Sequence, residues 1–308
     1  MTHWDRVERL LGQDNLQRLA SCKVVLIGLG SGGGFVAQGL AMSGVGRFVL
    51  VDDDTLSEAN IVRHVADLRD VGRYKAEVVA DLIKARNPQA EIDVRVGRIE
   101  AHLSALDSAD LVVVGVDQEQ VKYRINEACL ARGLVAIYAG VYERGEGGDV
   151  VVIHAGQGES PCYACWAAEL REGLAMDNRS PTGELDYGMI GESGTLEAEP
   201  GLWLHVVRVA STQADLAVNE LLNGTAVHFA MPANTVILAN RPLEIVEGEV
   251  TPPFGAVWVN IRRDPHCWVC GDAIRQQRLA DDSEGGALSL DDLLQMGNNP
   301  PLSDEAVS

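Results

Sequence analysis

The side chains best suited to chemistry come in a fixed order: Asp52, Asp54, Asn60 and Arg63, spaced Asp-x-Asp-x5-Asn-x2-Arg, and then Lys75 within Gly72-Arg73-Tyr74-Lys75-Ala76. Carboxylates can hold ribose hydroxyls or a metal ion, and Arg and Lys can neutralise charge that develops on phosphates under attack. Singly, such an Arg or Lys is a solvated side chain; the joint order carries the meaning. The acids close the apolar run Phe48-Val49-Leu50-Val51, and upstream Val24-Val25-Leu26-Ile27 leads into Gly28-Leu29-Gly30-Ser31-Gly32-Gly33-Gly34. The order is strand, glycine turn, helix, strand, acid. Gly28, Gly30 and Gly33 keep the G-x-G-x-x-G spacing, which lets backbone N–H groups approach phosphates at a helix N-terminus. That turn also serves nicotinamide oxidoreductases, but hydride transfer leaves Asn60, Arg63 and Lys75 without a task.

Holding these residues together calls for an open α/β sheet. The spacing predicts helices over 33–43 and 75–86, the second stopped at Asn87-Pro88, an alternating strand over 92–96 and a strand over 111–114 buried on both faces. Asp117 follows the carboxyl end of that strand, the edge where such sheets bind ligands. A helix over 121–133 and strands over 134–141 and 150–153 continue the alternation, which argues a doubly wound, Rossmann-like, mostly parallel sheet. The region 170–200 is polar, glycine-dotted and aperiodic, the pattern of a long functional loop. A buried helix is expected over 202–222. Short strands over 227–229, 235–238, 243–246 and 256–261 would form antiparallel hairpins completing the sheet. An amphipathic segment broken at Gly12 precedes the whole. The expected domains are residues 1–22, an α/β domain over 23–274 with a long loop at about 170–200, and an acidic, disordered tail over 275–308.

With 308 residues, 46% of them hydrophobic, the chain can bury a sizeable core. A formal net charge of −20 opposes long-range attraction to nucleic acid or anionic lipid, while a basic protein partner would be steered in. No apolar run approaches a membrane span, and Met1-Thr2-His3-Trp4-Asp5 has neither a basic start nor an apolar core, so a cytoplasmic location is expected.

Four of the six cysteines fall as Cys162-x2-Cys165 and Cys267-x2-Cys270, the spacing that lets two thiolates grip zinc from a tight turn. Together they make a four-thiolate structural site tying the long insertion to the carboxyl end. Cys22 and Cys129 sit in apolar segments and read as small core residues.

On these motifs the chain resembles the MoeB, ThiF, HesA and ubiquitin-activating enzyme superfamily of adenylating enzymes, over residues 5–271. The family's "Asn-Pro" after the next helix and its "Thr-Asp-Asn"-like segment correspond to Asn87-Pro88 and Val116-Asp117-Gln118. Many members also read "Pro-Cys-x-x-Cys" and "Cys-x-x-Cys-Gly", matched by Pro161-Cys162-Tyr163-Ala164-Cys165 and Cys267-Trp268-Val269-Cys270-Gly271. The resemblance implies that Asp52 holds ribose, that Asn60, Arg63 and Lys75 contact the triphosphate and that Asp117 helps bind magnesium. It implies a homodimer in which Arg9, or next Arg6, reaches the neighbouring subunit's ATP. The implied activity is ATP- and magnesium-dependent adenylation of a C-terminal carboxylate, that of a ubiquitin-like protein, with release of pyrophosphate.

The departure from the family concerns the thioester cysteine, which in ubiquitin-activating relatives lies in the crossover loop. Residues 166–266 contain no cysteine, and Ser193 and Thr195 near that place lack an evident base. The acyl group would then pass to a separate acceptor, a conjugating enzyme or a sulfur-carrier pathway. Three other readings stand beside this one: adenylation of a peptide or nucleoside carboxylate on the same fold, a nicotinamide-dependent oxidoreductase, and a catalytically silent partner subunit.

Overall fold

The computed structural model describes residues 3–177, 201–246 and 248–277. The chain divides into a unit Met1–Arg263 and a second unit Asp264–Ser308. The first opens with helices α1 (Asp5–Leu11) and α2 (Gln13–Ser21), separated at Gly12, whose φ of +84° favours glycine. Strands and helices then alternate: β1 (Lys23–Ile27), α3 (Gly33–Met42), β2 (Arg47–Asp52), α4 (Lys75–Arg86), β3 (Glu91–Val96), β4 (Leu111–Val114), α5 (Glu119–Leu130) and β5 (Val135–Val141). β6 (Gly147–His154), α6 (Tyr163–Asp177), α7 (Trp203–Leu221), β7 (Thr235–Ala239), β8 (Leu243–Val246), β9 (Glu249–Thr251) and β10 (Ala256–Val259) complete the order.

Eight strands form one sheet in the order β10-β7-β6-β5-β4-β1-β2-β3. β3, β2, β1, β4 and β5 run parallel, while β6, β7 and β10 are added antiparallel. The strand order reverses direction between β1 and β4, which opens a crevice at their carboxyl ends. Apolar residues in the central strands divide between two cores by strand parity. Val24 and Leu26 of β1 pack with Leu40 of α3 and Leu216 of α7; Val25 and Ile27 pack on the other face with Ile125 of α5 and Trp166 of α6. Each such side chain, fully buried, contributes roughly 1.5–3 kcal/mol, which is why a continuous apolar run folds as a central strand. Buried Gln213 of α7 anchors that helix by donating from Nε2 to the carbonyls of Val114 (3.0 Å) and Ile137 (2.9 Å).

Four expectations need correction. Residues 227–229 form no strand, because the amide of Asn219 takes both backbone groups of Phe229. The strand expected over 256–261 stops at Val259, and the strand over 243–246 pairs with β9 in a two-stranded ribbon apart from the main sheet. Helix α6 continues past Leu170, which packs on the core, as far as Asp177. The remainder of the expected crossover loop, with Ser193 and Thr195, lies outside the described residues, as does the acidic tail beyond residue 277. Among the described residues no helix is long and apolar enough to cross a membrane.

Candidate nucleotide site

β1 ends in the glycine turn, and two of its glycines are demanded by the fold itself. Gly28 has φ +84°, and a Cβ there would meet the carbonyl carbon of Gly115 at 2.8 Å; a Cβ on Gly33 would fall 1.9 Å from the carbonyl oxygen of Gly28. Gly30 is different. A Cβ there would find nothing within 4 Å, and Gly30 lines a cavity of about 250 Å³. The protein leaves that volume free beside a loop whose spacing suits phosphates, so the cradle fits a nucleotide.

Gly28, Asp52, Asp54, Lys75 and Asp117 line the same cavity. Asp52 is nearly buried and binds the turn to the second strand: Oδ2 accepts from the Leu29 N–H at 2.6 Å and Oδ1 from the Asp54 N–H at 2.8 Å. Burial pushes its carboxyl pKa up, against the opposing pull of those two donors. Lys75 opens α4 with its side chain only 12% exposed, and Nζ lies 2.7 Å from Oδ2 of Asp54. Asp117 follows β4 at the crevice edge.

Gly33, Asn60 and Arg63 are not in the described lining. Asn60 spends its side-chain oxygen on the Ser57 N–H at 3.0 Å, capping the 3-10 turn Glu58–Arg63, and half-buried Arg63 ends that turn. Arg9, on α1, pairs with Asp5 at 3.1 Å within its own helix, its side chain 74% exposed. The lining also contains residues the sequence reading passed over: Asp53, Gly97, Arg98, Ile99 and Glu100. Arg98 donates from Nε to Asp53 at 3.2 Å. The signal was available, because every carboxyl end of a parallel strand faces the crevice and residues 97–100 directly follow β3.

Cys162 and Cys165, at the start of α6, have sulfur atoms 3.8 Å apart. In the second unit, Cys267 and Cys270 lie in a tight turn where the Gly271 N–H bonds the Cys267 carbonyl at 2.7 Å and the Val269 N–H meets the Cys267 sulfur at 3.4 Å. All four are buried, and within each unit the pair offers two thiols from one turn, half the donor set of a tetrahedral zinc site. Cys22 and Cys129 are buried as well; burial raises both thiols, that of Cys129 to about 12.

Residues 5–237 match the ThiF family. The chain is 30% identical over 212 residues to the SAMP-activating enzyme E1 of Haloferax volcanii, covering 66% of this chain and 76% of that protein. It is 29% identical over 277 residues to the sulfur carrier protein adenylyltransferase of Thermus thermophilus, covering 88% and 90%. Its fold resembles Escherichia coli MccB, with a TM-score of 0.65 and 20% identity over 88% of this chain and 75% of that one. The site is that of a nucleotide-using α/β enzyme. The chain belongs to the ThiF family and is a ThiF-type adenylyltransferase.

Proposed function

We propose that the protein uses ATP and magnesium to adenylate the C-terminal carboxylate of a ubiquitin-like protein, in the manner that its relatives' names attach to a sulfur carrier protein. The carrying observation is the free volume beside Gly30, which Lys75, Asp52, Asp54 and Asp117 line. A carboxylate oxygen attacks the α-phosphorus, the bond to the β-phosphate oxygen breaks, and pyrophosphate leaves. Lys75 and Arg63 offset charge on the α-phosphate and the leaving group. Asp52 keeps acceptor capacity for ribose beyond its two backbone bonds, and Asn60, its oxygen held by the Ser57 N–H, would contact the triphosphate through its amide N–H groups. Asp117, with Asp54, would hold magnesium, which when bound supplies positive charge to the phosphates. In a homodimer, Arg9 would extend to the partner's nucleotide.

Transfer to a separate acceptor fits the cysteines. Cys22 and Cys129 are buried, and a thiol raised to about 12 is protonated at neutral pH, hence a poor nucleophile. Cys162, Cys165, Cys267 and Cys270 would hold one structural zinc, which goes with a reducing, cytoplasmic location.

The test is ATP–pyrophosphate exchange with candidate carboxylates, together with metal analysis of the same protein. Exchange dependent on a ubiquitin-like carrier, about one zinc per chain and no reducing-agent-sensitive adduct are expected. Exchange driven only by a short peptide, a thioester on Cys22 or Cys129, or zinc-free protein with unchanged melting would each overturn the corresponding part.

A further inference from the structure

Leu29 and Ser31 flank Gly30, and their carbonyls are held by side chains from distant segments. Nε2 of His64 lies 2.7 Å from the Leu29 carbonyl, and Nε1 of Trp203 donates to the Ser31 carbonyl at 3.3 Å. The Gly30 carbonyl between them accepts from the Gly34 N–H at 3.0 Å. The peptides here are trans, so each carbonyl points opposite to the N–H of the next residue. Fixing the carbonyls of Leu29, Gly30 and Ser31 therefore aims the N–H of Gly30 away from His64, that of Ser31 away from Gly34 and that of Gly32 away from Trp203. An anion is repelled by carbonyl oxygens and attracted by N–H groups, so a loop free to turn its peptides would lose phosphate affinity.

The two braces are built for this. His64 is buried, and its Nδ1 accepts from the Ala66 N–H at 3.0 Å, which makes Nε2 the nitrogen that carries the proton toward Leu29. Burial lowers its pKa and so favours the neutral ring that this pair of bonds requires. Trp203 begins α7 and packs edge-on to Phe35 at 6.4 Å between centroids. A Cβ placed on Gly32 would touch Val206 and Ala210, so α7 lies directly against the loop.

We propose that His64 and Trp203 are positioning residues for ATP, holding the Leu29 and Ser31 carbonyls back so that the loop's N–H groups stay presented to the phosphates. This rests on the adenylation reading. His64 directly follows Arg63, so the same turn that carries a phosphate-neutralising cation also sets the loop.

Trp203→Phe removes the donor while keeping an aromatic ring, and His64→Phe removes the donor to Leu29 that His64→Gln can restore. The readout is the dissociation constant for a non-hydrolysable ATP analogue, with KM for ATP and for the carboxylate substrate beside it. Losing one such hydrogen bond should weaken ATP binding roughly three- to tenfold and raise KM for ATP alike, leaving KM for the carboxylate and the nucleotide-free melting temperature of Trp203→Phe unchanged. His64→Gln should bind more tightly than His64→Phe. Wild-type affinity in Trp203→Phe overturns the Trp203 brace. Equal affinity in His64→Gln and wild type when His64→Phe folds and also matches them overturns the His64 brace; if His64→Phe does not fold, His64→Gln bound tenfold more weakly than wild type overturns it. If the analogue fails to bind the wild type at all, the adenylation reading fails, and the brace with it.

Discussion

The parallel side of the sheet and its antiparallel side differ in how the chain is held where the strands end. Across β3, β2, β1, β4 and β5 the ladder does the work, with unbroken register such as Val24 against Leu111 through Ile27 against Val114. Around β6, β7 and β10 the ladders are continuous too, and single side-chain amides pin the chain just beyond the strand ends. Asn234 donates from Nδ2 to the Ile261 carbonyl at 2.7 Å and accepts the Ile261 N–H at 3.0 Å. Asn219 does the same for Phe229, at 3.0 and 2.9 Å. Asn240 donates to the Gly145 carbonyl and accepts from Arg208. An asparagine amide presents one donor and one acceptor with the spacing of a peptide group, so one residue can end a strand and pin the next segment of chain. A ladder spreads its stability over many residues, whereas a clasp concentrates it in one. The catalytic candidates lie on the parallel side, which leaves side chains at the strand ends free for ligands.

The largest expected effect falls on that side. Lys75→Ala should lower exchange by roughly a hundred- to a thousandfold, about 3–4 kcal/mol of transition-state stabilisation. Its melting temperature should barely move, since the Asp54 it leaves behind is 65% exposed. Joint losses of melting temperature and exchange would mean that the parallel side depends on this ion pair for its fold.

Asn234→Ala should do the reverse. Leaving the N–H and carbonyl of Ile261 unpaired next to the core costs about 2 kcal/mol in denaturant unfolding, with ATP affinity retained. An unfolding midpoint equal to wild type would show that water replaces the clasp. The smallest stability effect is expected for Gly30→Ala, below about 0.5 kcal/mol because the new methyl meets no atom. Its ATP affinity should nonetheless drop sharply, as the methyl takes up ligand volume. Undisturbed affinity would show that the phosphates lie elsewhere.

This contrast also explains what the sequence disclosed. Leu111-Val112-Val113-Val114 could be read as a strand to the residue, because burial on both faces leaves a continuous apolar run. Gly28, Asp52 and Lys75 were legible because a strand-turn-helix unit fixes them by local spacing, and the cysteine pairs because zinc geometry sets the interval within each pair. Val227-His228-Phe229 misled, since its alternation is strand-like while Asn219, ten residues away, takes its bonds. Arg98 was missed because it lies past the end of a strand whose pattern had already been read. His64 and Trp203 bind backbone carbonyls, and such a partner leaves no trace in residue type or spacing.

The crevice lining has a further consequence for how the ligand arrives. Asp52, Asp53, Asp54, Glu100 and Asp117 face Lys75 and Arg98, five carboxyl groups against two cations, in a chain of net charge −20. Bare ATP, itself a polyanion, meets a repulsive field there, whereas a nucleotide already wrapped around a divalent cation carries less negative charge and meets a weaker one. On the adenylation reading, the site should therefore favour the metal complex over the free nucleotide by charge as well as by shape. Raising magnesium at fixed ATP should then enlarge the nucleotide's melting shift until the free form is exhausted, and an equal shift in chelator would contradict it.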